Sequence, residues 1–546
     1  MRTQRATNRL AYSITYLAIL IAILVFIFYP YAAILTQALT KGGTNYLLFI
    51  QHNLTLLWHS LFVAILTTVL SLITTLALTI LQLFLKHHWR QVLRLILLVT
   101  MVAPPFVTSL AYINLFGRRG LITYGLLHLT FNPYGPQGII LMQTVSFSSL
   151  NALLLISIIQ KVDPGLINSA RSLGATPTRI LLDIILPAIK PGIMVVALVS
   201  FIRSLADFQT PTIIGGSYQV LSSAGYYAMI SLGNLHLAAL INITLAIPAV
   251  IGFFIYIHYN RSLTMLQHGL ADNQMMSILP KSGAFWHCSL SVSILFYLVL
   301  ILQYGSIFIN AITERQLGHY HLSLQPLRQT AFFISPEIIG RTIAYSIVAG
   351  FIGSLISFLI VYYHQVHHSH LMKLVEMVGT LPYILPGTFF GLGYLYAFSE
   401  KPLVMTGTSA IVIINLIFKQ VAFATKAANA VVSQLPTTYF KIIHDLGGAT
   451  IAEWQDVFFP LTRRGFALTF LNGFISTMTT IGSIIFLVHP GQELLTLVMF
   501  DVVQQNEYQV ASVIACLIIL ICLAVAGIVM TMVWFAERKH SHVLWS

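Results

Sequence analysis

The stretch SLGATPTRILLDIILPAIKPG, at Ser172–Gly192, returns in altered form as DLGGATIAEWQDVFFPLTRRG, at Asp445–Gly465. Every matching position is 273 residues apart, which is half of the 546-residue chain. A repeat at this spacing predicts a protein built from two related halves. The two stretches carry identical residues at Leu173 and Leu446, Gly174 and Gly447, Asp183 and Asp456, Pro187 and Pro460, and Gly192 and Gly465.

The composition predicts a membrane protein. Hydrophobic residues make up 57% of the chain and charged residues 8%, whereas soluble domains carry about 25% charged residues. Several apolar blocks reach or approach the roughly 20 residues that cross a bilayer as a helix. We therefore predict an all-α polytopic membrane protein with twelve spans, near residues 11–35, 55–85, 92–116, 138–159, 192–214, 235–259, 287–310, 339–363, 372–398, 408–432, 466–488 and 509–535.

The distribution of Lys and Arg predicts the orientation. With the N-terminus inside, the cytoplasmic segments hold eighteen of the 28 Lys and Arg, and the outer segments hold seven. Because positive charge favours the cytoplasmic side, we expect both termini to be cytoplasmic. The net charge of +13 is then mostly a topology signal. It does not indicate a nucleic-acid partner, since we identify no basic surface domain.

Two parallel six-span halves follow from these counts, 1–270 and 271–546, joined by the polar linker Arg261–Gly283. Six spans is an even number, so both halves enter the membrane in the same direction. The repeated stretches occupy loops 160–192 and 433–465, each between the fourth and fifth spans of its half. Both loops are therefore expected to face the cytoplasm.

The sequence of each loop predicts a short helix, a glycine turn and a second short helix. Gly174 is placed to end the first helix, and Thr176 with Pro177 to start the second. Thr450 and Glu453 have capping-box spacing in the other copy, and Pro187 and Pro460 are expected to end the second helices. Apolar residues at helical spacing form a stripe that needs a partner surface: Ile180, Leu181, Ile184 and Ile185, and Trp454, Val457 and Phe458.

Two interpretations of the stripe are open. It fits a helix that lies on lipid headgroups, and it fits docking to another protein. Two equivalent copies that face one compartment favour docking to a two-fold partner.

The loops resemble the cytoplasmic coupling loops of binding-protein-dependent ABC import permeases. In those loops a Glu-Ala-Ala sequence is followed by Gly and, about a dozen residues later, by Leu-Pro. Here 168–170 and 441–443 stand at the Glu-Ala-Ala positions without the glutamate, and the Gly-to-Pro spacing is kept in both copies. The resemblance covers nearly the whole chain and implies the type I importer fold. It also implies that the coupling residues are Leu173, Gly174, Ala175, Asp183, Pro187, Leu446, Gly447, Trp454, Asp456 and Pro460.

The same resemblance implies partners and a location. It implies a multi-pass protein of the bacterial inner membrane, with two copies of a cytoplasmic ABC ATPase and an extracytoplasmic substrate-binding protein. The chain would bind no cofactor, because ATP and Mg²⁺ would be bound by the ATPase. Agreeing with this, the Gly-Lys dipeptide of a nucleotide-binding P-loop occurs nowhere in the sequence. No catalytic residues are expected, and the chain is not expected to be an enzyme.

Two further stretches, Leu205–Ser231 and Ser476–Ser512, resemble fused permeases of the ferric-iron type. Ferric iron is therefore the expected substrate. A hexose phosphate, a phosphonate or thiamine is the alternative, since related fused permeases carry such solutes. A secondary transporter driven by an ion gradient is a third class, although only Asp207 and Glu376 are acidic residues within predicted spans.

Polar residues within the predicted spans are candidates for the translocation pathway. Arg203 and Asp207 are four residues apart, so on one helix they could pair. Such a pair would either fix helix packing or line the pathway, together with Thr210, Pro211 and Lys419. Arg203, Lys419 and the outer Arg341 would suit an anionic substrate. Fe³⁺ would prefer oxygen atoms such as those of Asp207, Tyr226 and Tyr227.

Three remaining features are given structural interpretations. Pro104 and Pro386 are expected to break or kink the third span of each half. His364, His367 and His368 in YYHQVHHSH are expected to be ordinary interfacial residues rather than metal ligands. Cys288, Cys516 and Cys522 have neither zinc-site nor disulfide spacing.

Overall fold

The chain is predominantly helical, as expected. The computed structural model describes residues 2–40, 46–104, 107–118, 120–129, 132–266, 279–281, 283–316, 319–436, 438–445 and 452–543. Leu446, Gly447, Thr450 and most of the linker Arg261–Gly283 lie outside these residues.

Helices α1 to α13 belong to the first half of the sequence. They are α1 Arg2–Ile23, α2 Tyr29–Thr40, α3 Tyr46–His52, α4 Leu54–Phe84, α5 His87–Thr100, α6 Val107–Phe116, α7 Pro136–Ile159, α8 Pro164–Ser172, α9 Pro177–Arg179, α10 Leu186–Ala206, α11 Gln209–Ile214, α12 Leu221–Ile230 and α13 Leu235–Leu266.

Helices α14 to α24 belong to the second half. They are α14 Ala284–Ala311, α15 Gln325–Phe333, α16 Pro336–Val361, α17 His370–Gly379, α18 Leu381–Ile384, α19 Gly387–Ala397, α20 Ser409–Val432, α21 Thr438–Asp445, α22 Phe459–Met478, α23 Leu495–Gln504 and α24 Tyr508–Val543. An antiparallel hairpin of β1 Thr313–Gln316 and β2 His319–Leu322 follows α14. Five wider π-helical segments are Leu24–Phe28, Leu121–Leu126, Ile180–Ile185, Tyr362–Val366 and Glu453–Phe458.

Within the described part of the chain, nine helical segments are long and apolar enough to cross a membrane. Eight of them coincide with predicted spans, and the ninth, Pro177–Ala206, covers only the first part of predicted span 192–214 and begins 15 residues before it. The count of twelve is compatible with the structure. The other three predicted spans are not single long helices of this kind. Span 92–116 divides into α5 and α6, span 372–398 divides into α17, α18 and α19, and the helix in span 466–488 ends at Met478.

Proline explains two of these divisions. Pro104 lies between α5 and α6, and Pro386 lies directly before α19 with an extended backbone ψ of 143°. A proline lacks the backbone N–H that an α-helix needs and its ring clashes with the preceding turn. The expected breaks at Pro104 and Pro386 are therefore observed.

The chain forms two compact units that combine non-contiguous segments. One unit contains Met1–Gly43, Ala331–Val498 and Leu517–Ser546, and the other contains Thr44–Thr330 and Met499–Cys516. In the first unit α1 contacts α17, and in the second α14 contacts α4 and α6. The first helix of each sequence half thus packs in a unit made mainly from the other half. The boundary between residues 270 and 271 stays a prediction about the sequence repeat.

The two repeated stretches contain π-helical segments at equivalent positions. Ile180–Ile185 leads directly into α10, and Glu453–Phe458 leads directly into α22. The expectation that Pro187 and Pro460 end these helices is therefore wrong. Each proline falls in the first turn after the register changes from π to α, where a missing N–H is tolerated. In the first copy the helix runs on from the loop as one segment, Pro177–Ala206.

Candidate functional site

The first copy of the repeated stretch turns sharply at Gly174. Gly174 has a backbone φ of +81°, a conformation that disfavours every residue with a Cβ. Its N–H donates to the Arg171 carbonyl at 2.9 Å, and the Ala175 N–H donates to the Ala170 carbonyl at 3.0 Å. These two bonds form a Schellman motif, which satisfies the last carbonyls of α8. The predicted glycine turn is confirmed here.

Side chains cap both short helices of this copy. The Asp163 carboxylate accepts from the Gly165 N–H at 2.8 Å at the start of α8. The Thr176 hydroxyl accepts from the Arg179 N–H at 3.4 Å at the start of α9, with Pro177 at the first helical position. Both caps satisfy backbone donors that have no partner within the helix. The loop is therefore a defined elbow.

The apolar stripe of the first copy is covered by the chain itself. Ile180, Leu181 and Ile185 are buried in a cluster that also contains residues of α4 and α7. Leu279 joins the same cluster, and its N–H donates to the Leu83 carbonyl at 3.0 Å. The partner surface that the stripe requires is therefore mainly internal, and these three side chains do not face a docking partner.

A different set of residues faces outward from the first copy. Leu173, at the tip of the elbow, is 88% exposed, although its apolar side chain favours burial. Leu182, Asp183 and Pro187 are exposed on the side of the helix opposite the buried stripe. Ala175 is partly buried against the internal cluster. Of the predicted coupling residues in this copy, Leu173, Gly174, Asp183 and Pro187 are thus accessible to another protein.

The second copy keeps the helical segment but differs in its chemistry. Asp456 and Pro460 are exposed, as Asp183 and Pro187 are. Trp454 is half-buried and stacks on Phe458 and Phe459, with ring centroids 6.1 and 5.5 Å apart. Its counterpart at the repeat spacing is Leu181, which is buried. The turn of the second copy, with Leu446 and Gly447, lies outside the described residues.

A buried carboxylate anchors the second copy. Glu453 has 0% exposure, and its Oε2 lies 3.8 Å from His367 Nε2. His364 Nδ1 lies 2.6 Å from Glu376 Oε2. The expectation that these histidines are interfacial residues stays a prediction, and the structure adds that His364 and His367 each lie beside a carboxylate of the protein. Sequence analysis identified Glu453 only for its capping-box spacing and missed its contact with His367, because the two residues are 86 positions apart.

Two predicted pathway residues of the first half, Asp207 and Thr210, belong to a hydrogen-bonded network. Gln143 Nε2 donates to Asp207 Oδ2 at 3.0 Å. Gln143 Oε1 accepts from the hydroxyls of Thr67 and Ser204, at 3.1 and 2.6 Å. The Thr210 N–H donates to Asp207 Oδ1 at 3.2 Å. Asp207 is thus held in place by α7 and by the start of α11.

Arg203 and Asp207, both in the described part of the chain, are not paired. The α10 helix ends at Ala206, and Asp207 has a ψ of 108°, so the four-residue spacing no longer places the side chains together. The Arg203 guanidinium lies over the Phe147 ring, with Cζ 4.8 Å from the centroid. Thr210 and Pro211 are buried in α11. The structure brings Asp207 and Thr210 together and leaves Arg203 apart.

The second half has a related arrangement. Lys419 Nζ donates to Thr480 Oγ1 at 2.9 Å, and Gln420 Nε2 donates to Thr477 Oγ1 at 3.1 Å. Thr480 and Thr477 are the counterparts of Asp207 and Ser204 at the repeat spacing. Each half therefore ties the end of the helix after its repeated stretch to the preceding span through polar side chains.

We expect Gln143→Leu to lower the free energy of unfolding by about 1–2 kcal/mol, because it leaves the buried oxygens of Asp207, Ser204 and Thr67 without their shared partner. The matched control is Gln137→Leu in the same helix, where Gln137 bonds only to nearby backbone carbonyls. Thermal unfolding of the purified protein in detergent measures both. Equal melting temperatures for the two variants would show that the network does not stabilise the fold.

Comparison with known proteins matches residues 80–267 to the family described as "Binding-protein-dependent transport system inner membrane component". This range includes the whole first copy of the repeated stretch, from α8 to α10, and all of the polar network around Asp207 except Thr67.

Individual relatives extend the similarity over most of the chain. A ferric transport system permease protein of Actinobacillus pleuropneumoniae is 26% identical over 93% of this chain and 76% of its own length. A putative ferric transport system permease protein of Haemophilus influenzae is 26% identical over 86% of this chain and 77% of its own length. A putative 2-aminoethylphosphonate transport system permease protein of Salmonella typhi is 28% identical over 20% of this chain and 41% of its own length.

Proposed function

We propose that this chain is an inner membrane permease component of a binding-protein-dependent ABC import system and carries ferric iron into the cell. The permease role rests on the family and on its nearly full-length relatives. The observation that carries the choice of iron is the similarity to two ferric permeases over 93% and 86% of the chain. The putative 2-aminoethylphosphonate permease of Salmonella typhi matches only 20% of this chain.

The partners belong to the same proposal. Two copies of a cytoplasmic ATPase would dock on this chain, one at each repeated stretch, and would bind ATP and Mg²⁺. An extracytoplasmic protein would deliver the substrate. Both termini and both repeated stretches would face the cytoplasm, as the excess of Lys and Arg on that side favours. This chain would then hydrolyse no ATP and bind no cofactor of its own.

The helix geometry supports a mechanism of coupling. The first repeated stretch continues into α10 without a break from Pro177 to Ala206. Leu173 lies across the Gly174 turn from this helix, so displacement of the elbow would move the start of the helix at Pro177 and, through it, the end of α10 beside Asp207. The internal burial of Ile180, Leu181 and Ile185 would keep the elbow attached to its own helices during that motion.

The cationic candidate residues contact neutral groups of the protein. Lys419 donates to Thr480, the Arg341 guanidinium donates to the Gly491 carbonyl, and Arg203 lies over Phe147. The partners in these contacts are neutral groups, so the contacts alone do not distinguish Fe³⁺ from an anionic substrate. Oxygen donors suit Fe³⁺. Asp207 and the Tyr226 hydroxyl are candidates to contact the ion during passage.

Uptake in cells tests the choice of substrate. The chain is expressed with its own ATPase and binding protein in a bacterial strain that lacks ferric uptake. We expect growth on ferric iron and ATP-dependent accumulation of radioactive iron. The inactive control is Gly174→Pro, because proline holds φ near −65° where this site needs +81°.

Three outcomes would contradict the proposal in different ways. Rescue on a hexose phosphate, a phosphonate or thiamine instead of iron would replace the substrate and keep the permease role. Iron uptake that follows an ion gradient and persists without ATP would indicate a secondary transporter. Full uptake by Gly174→Pro would remove the coupling role of the elbow.

A further inference from the structure

A groove beside the second repeated stretch combines apolar walls with two adjacent arginines. It is a cavity of about 430 Å³ within the first compact unit, lined by parts of α16, α22 and α24. Phe351, Phe466 and Met532 are among its apolar lining residues. Arg463 and Arg464 lie at the same groove, one turn after Pro460.

The walls of this groove suit an acyl chain. Phe351 and Phe466 are in edge contact, with ring centroids 5.7 Å apart, and Met532 on α24 is 66% exposed. Both α16 and α24 contain membrane-length apolar segments, Pro336–Val366 and Tyr508–Phe535. Apolar side chains exposed on such helices meet lipid rather than water, so the natural occupant of the groove is a hydrocarbon chain.

The charges select the kind of lipid. Arg463 and Arg464 supply two positive charges at one place, and the sequence continues with Arg538 and Lys539 beyond Met532. Guanidinium groups bind phosphate oxygens in a planar, bidentate manner. Basic residues next to apolar helix ends are the usual readers of anionic headgroups in the cytoplasmic leaflet.

The site is special to the second half. At the repeat spacing, Arg463 corresponds to Lys190 and Arg464 corresponds to Pro191, so the first copy has a single cation. Phe351 corresponds to Leu78, which is buried in a core cluster. The groove is therefore not a general consequence of the repeated fold.

We propose that this groove binds one anionic phospholipid, with its phosphate on Arg463 and Arg464 and an acyl chain along Phe351, Phe466 and Met532. The site lies next to the second repeated stretch, since Phe466 contacts Phe459 at 5.9 Å and Phe459 stacks on Trp454 at 5.5 Å. A bound lipid would brace this aromatic row. With the proposed orientation, the lipid lies in the cytoplasmic leaflet.

Photolabelling of the full-length protein tests the site. The protein is placed in phosphatidylcholine nanodiscs that contain a small fraction of phosphatidylglycerol with a photoreactive acyl chain, and adducts are mapped by mass spectrometry. We expect adducts within 459–470 and 529–535. Unlabelled phosphatidylglycerol should compete for them, whereas added phosphatidylcholine and inorganic phosphate should not.

Variants separate the headgroup contact from the acyl contact. Arg463→Gln with Arg464→Gln should reduce labelling about 30-fold, since each basic residue near an anionic lipid contributes about a factor of five in affinity. Lys190→Gln, the matched change in the first copy, should leave labelling unchanged. Met532→Trp keeps both arginines and fills the groove from an exposed position, so it should also reduce labelling. Melting temperatures near that of the parent establish that the variants are folded.

Three results would overturn the proposal. Equal labelling by a photoreactive phosphatidylcholine would show ordinary lipid contact without recognition of charge. Full labelling of the double arginine variant or of Met532→Trp would show that the lipid lies elsewhere. Competition by inorganic phosphate would identify a site for a small anion. None of these results bears on iron uptake, so failure here is distinct from failure of the proposed function.

Discussion

Leu173→Asp is expected to reduce substrate uptake at least about ten-fold while leaving the amount of protein in the membrane unchanged. Leu173 is 88% exposed at the tip of the elbow, so its replacement removes little internal packing. If the ATPase covers this side chain, its replacement removes the roughly 1.5–3 kcal/mol that burial of a leucine contributes. A buried aspartate would add the cost of desolvating its charge.

Two measurements check this prediction, uptake in cells and copurification of the ATPase with the permease. The matched control is Leu322→Asp in β2, where the leucine is 82% exposed on the side of the membrane predicted to be opposite. That variant should retain both uptake and the ATPase. If Leu173→Asp retained both as well, the elbow tip would not be the docking surface.

Leu181→Ala and Leu182→Ala form a second test, with neighbouring residues of the same type. Leu181 is 1% exposed within the internal cluster, whereas Leu182 is 46% exposed. We expect Leu181→Ala to lower the free energy of unfolding by about 2–5 kcal/mol, since it leaves a cavity in a packed core. Leu182→Ala should change it by less than about 0.5 kcal/mol.

Thermal unfolding in detergent, combined with ATPase copurification, distinguishes the two roles of the stripe. If Leu181 served docking, its alanine variant would lose the ATPase without a change in melting temperature. The structure predicts instead that Leu181→Ala lowers the melting temperature. Leu182→Ala should leave the melting temperature unchanged, so any effect it has should be on ATPase binding.

The glycine turn shows how far local sequence rules reach. Gly174, Thr176 and Pro177 were each assigned their positions from the sequence, and the structure confirms all three. Such assignments succeed because helix caps and left-handed turns depend on bonds between residues only a few positions apart. The breaks at Pro104 and Pro386 were predictable for the same reason.

The predicted pairing of Arg203 with Asp207, which the structure does not contain, shows where those local rules fail. The four-residue spacing holds only while the helix continues, and α10 ends at Ala206. The partner that Asp207 has instead, Gln143, is 64 positions away on α7. Glu453 likewise meets His367 across a long separation. Contacts of this kind depend on how helices pack, which a single sequence does not encode locally.

The sequence by itself determined the two-fold repeat, the membrane character, eight of the predicted spans, and the elbow at Gly174, because these follow from composition, spacing and short-range bonding. Only the tertiary structure decided what covers the apolar stripe of each repeated stretch. Hydrophobic periodicity shows that a helix has an apolar side, but the surface that covers this side is chosen by packing. That choice buries Leu181 within the chain's own helices and leaves Leu173 exposed for a partner.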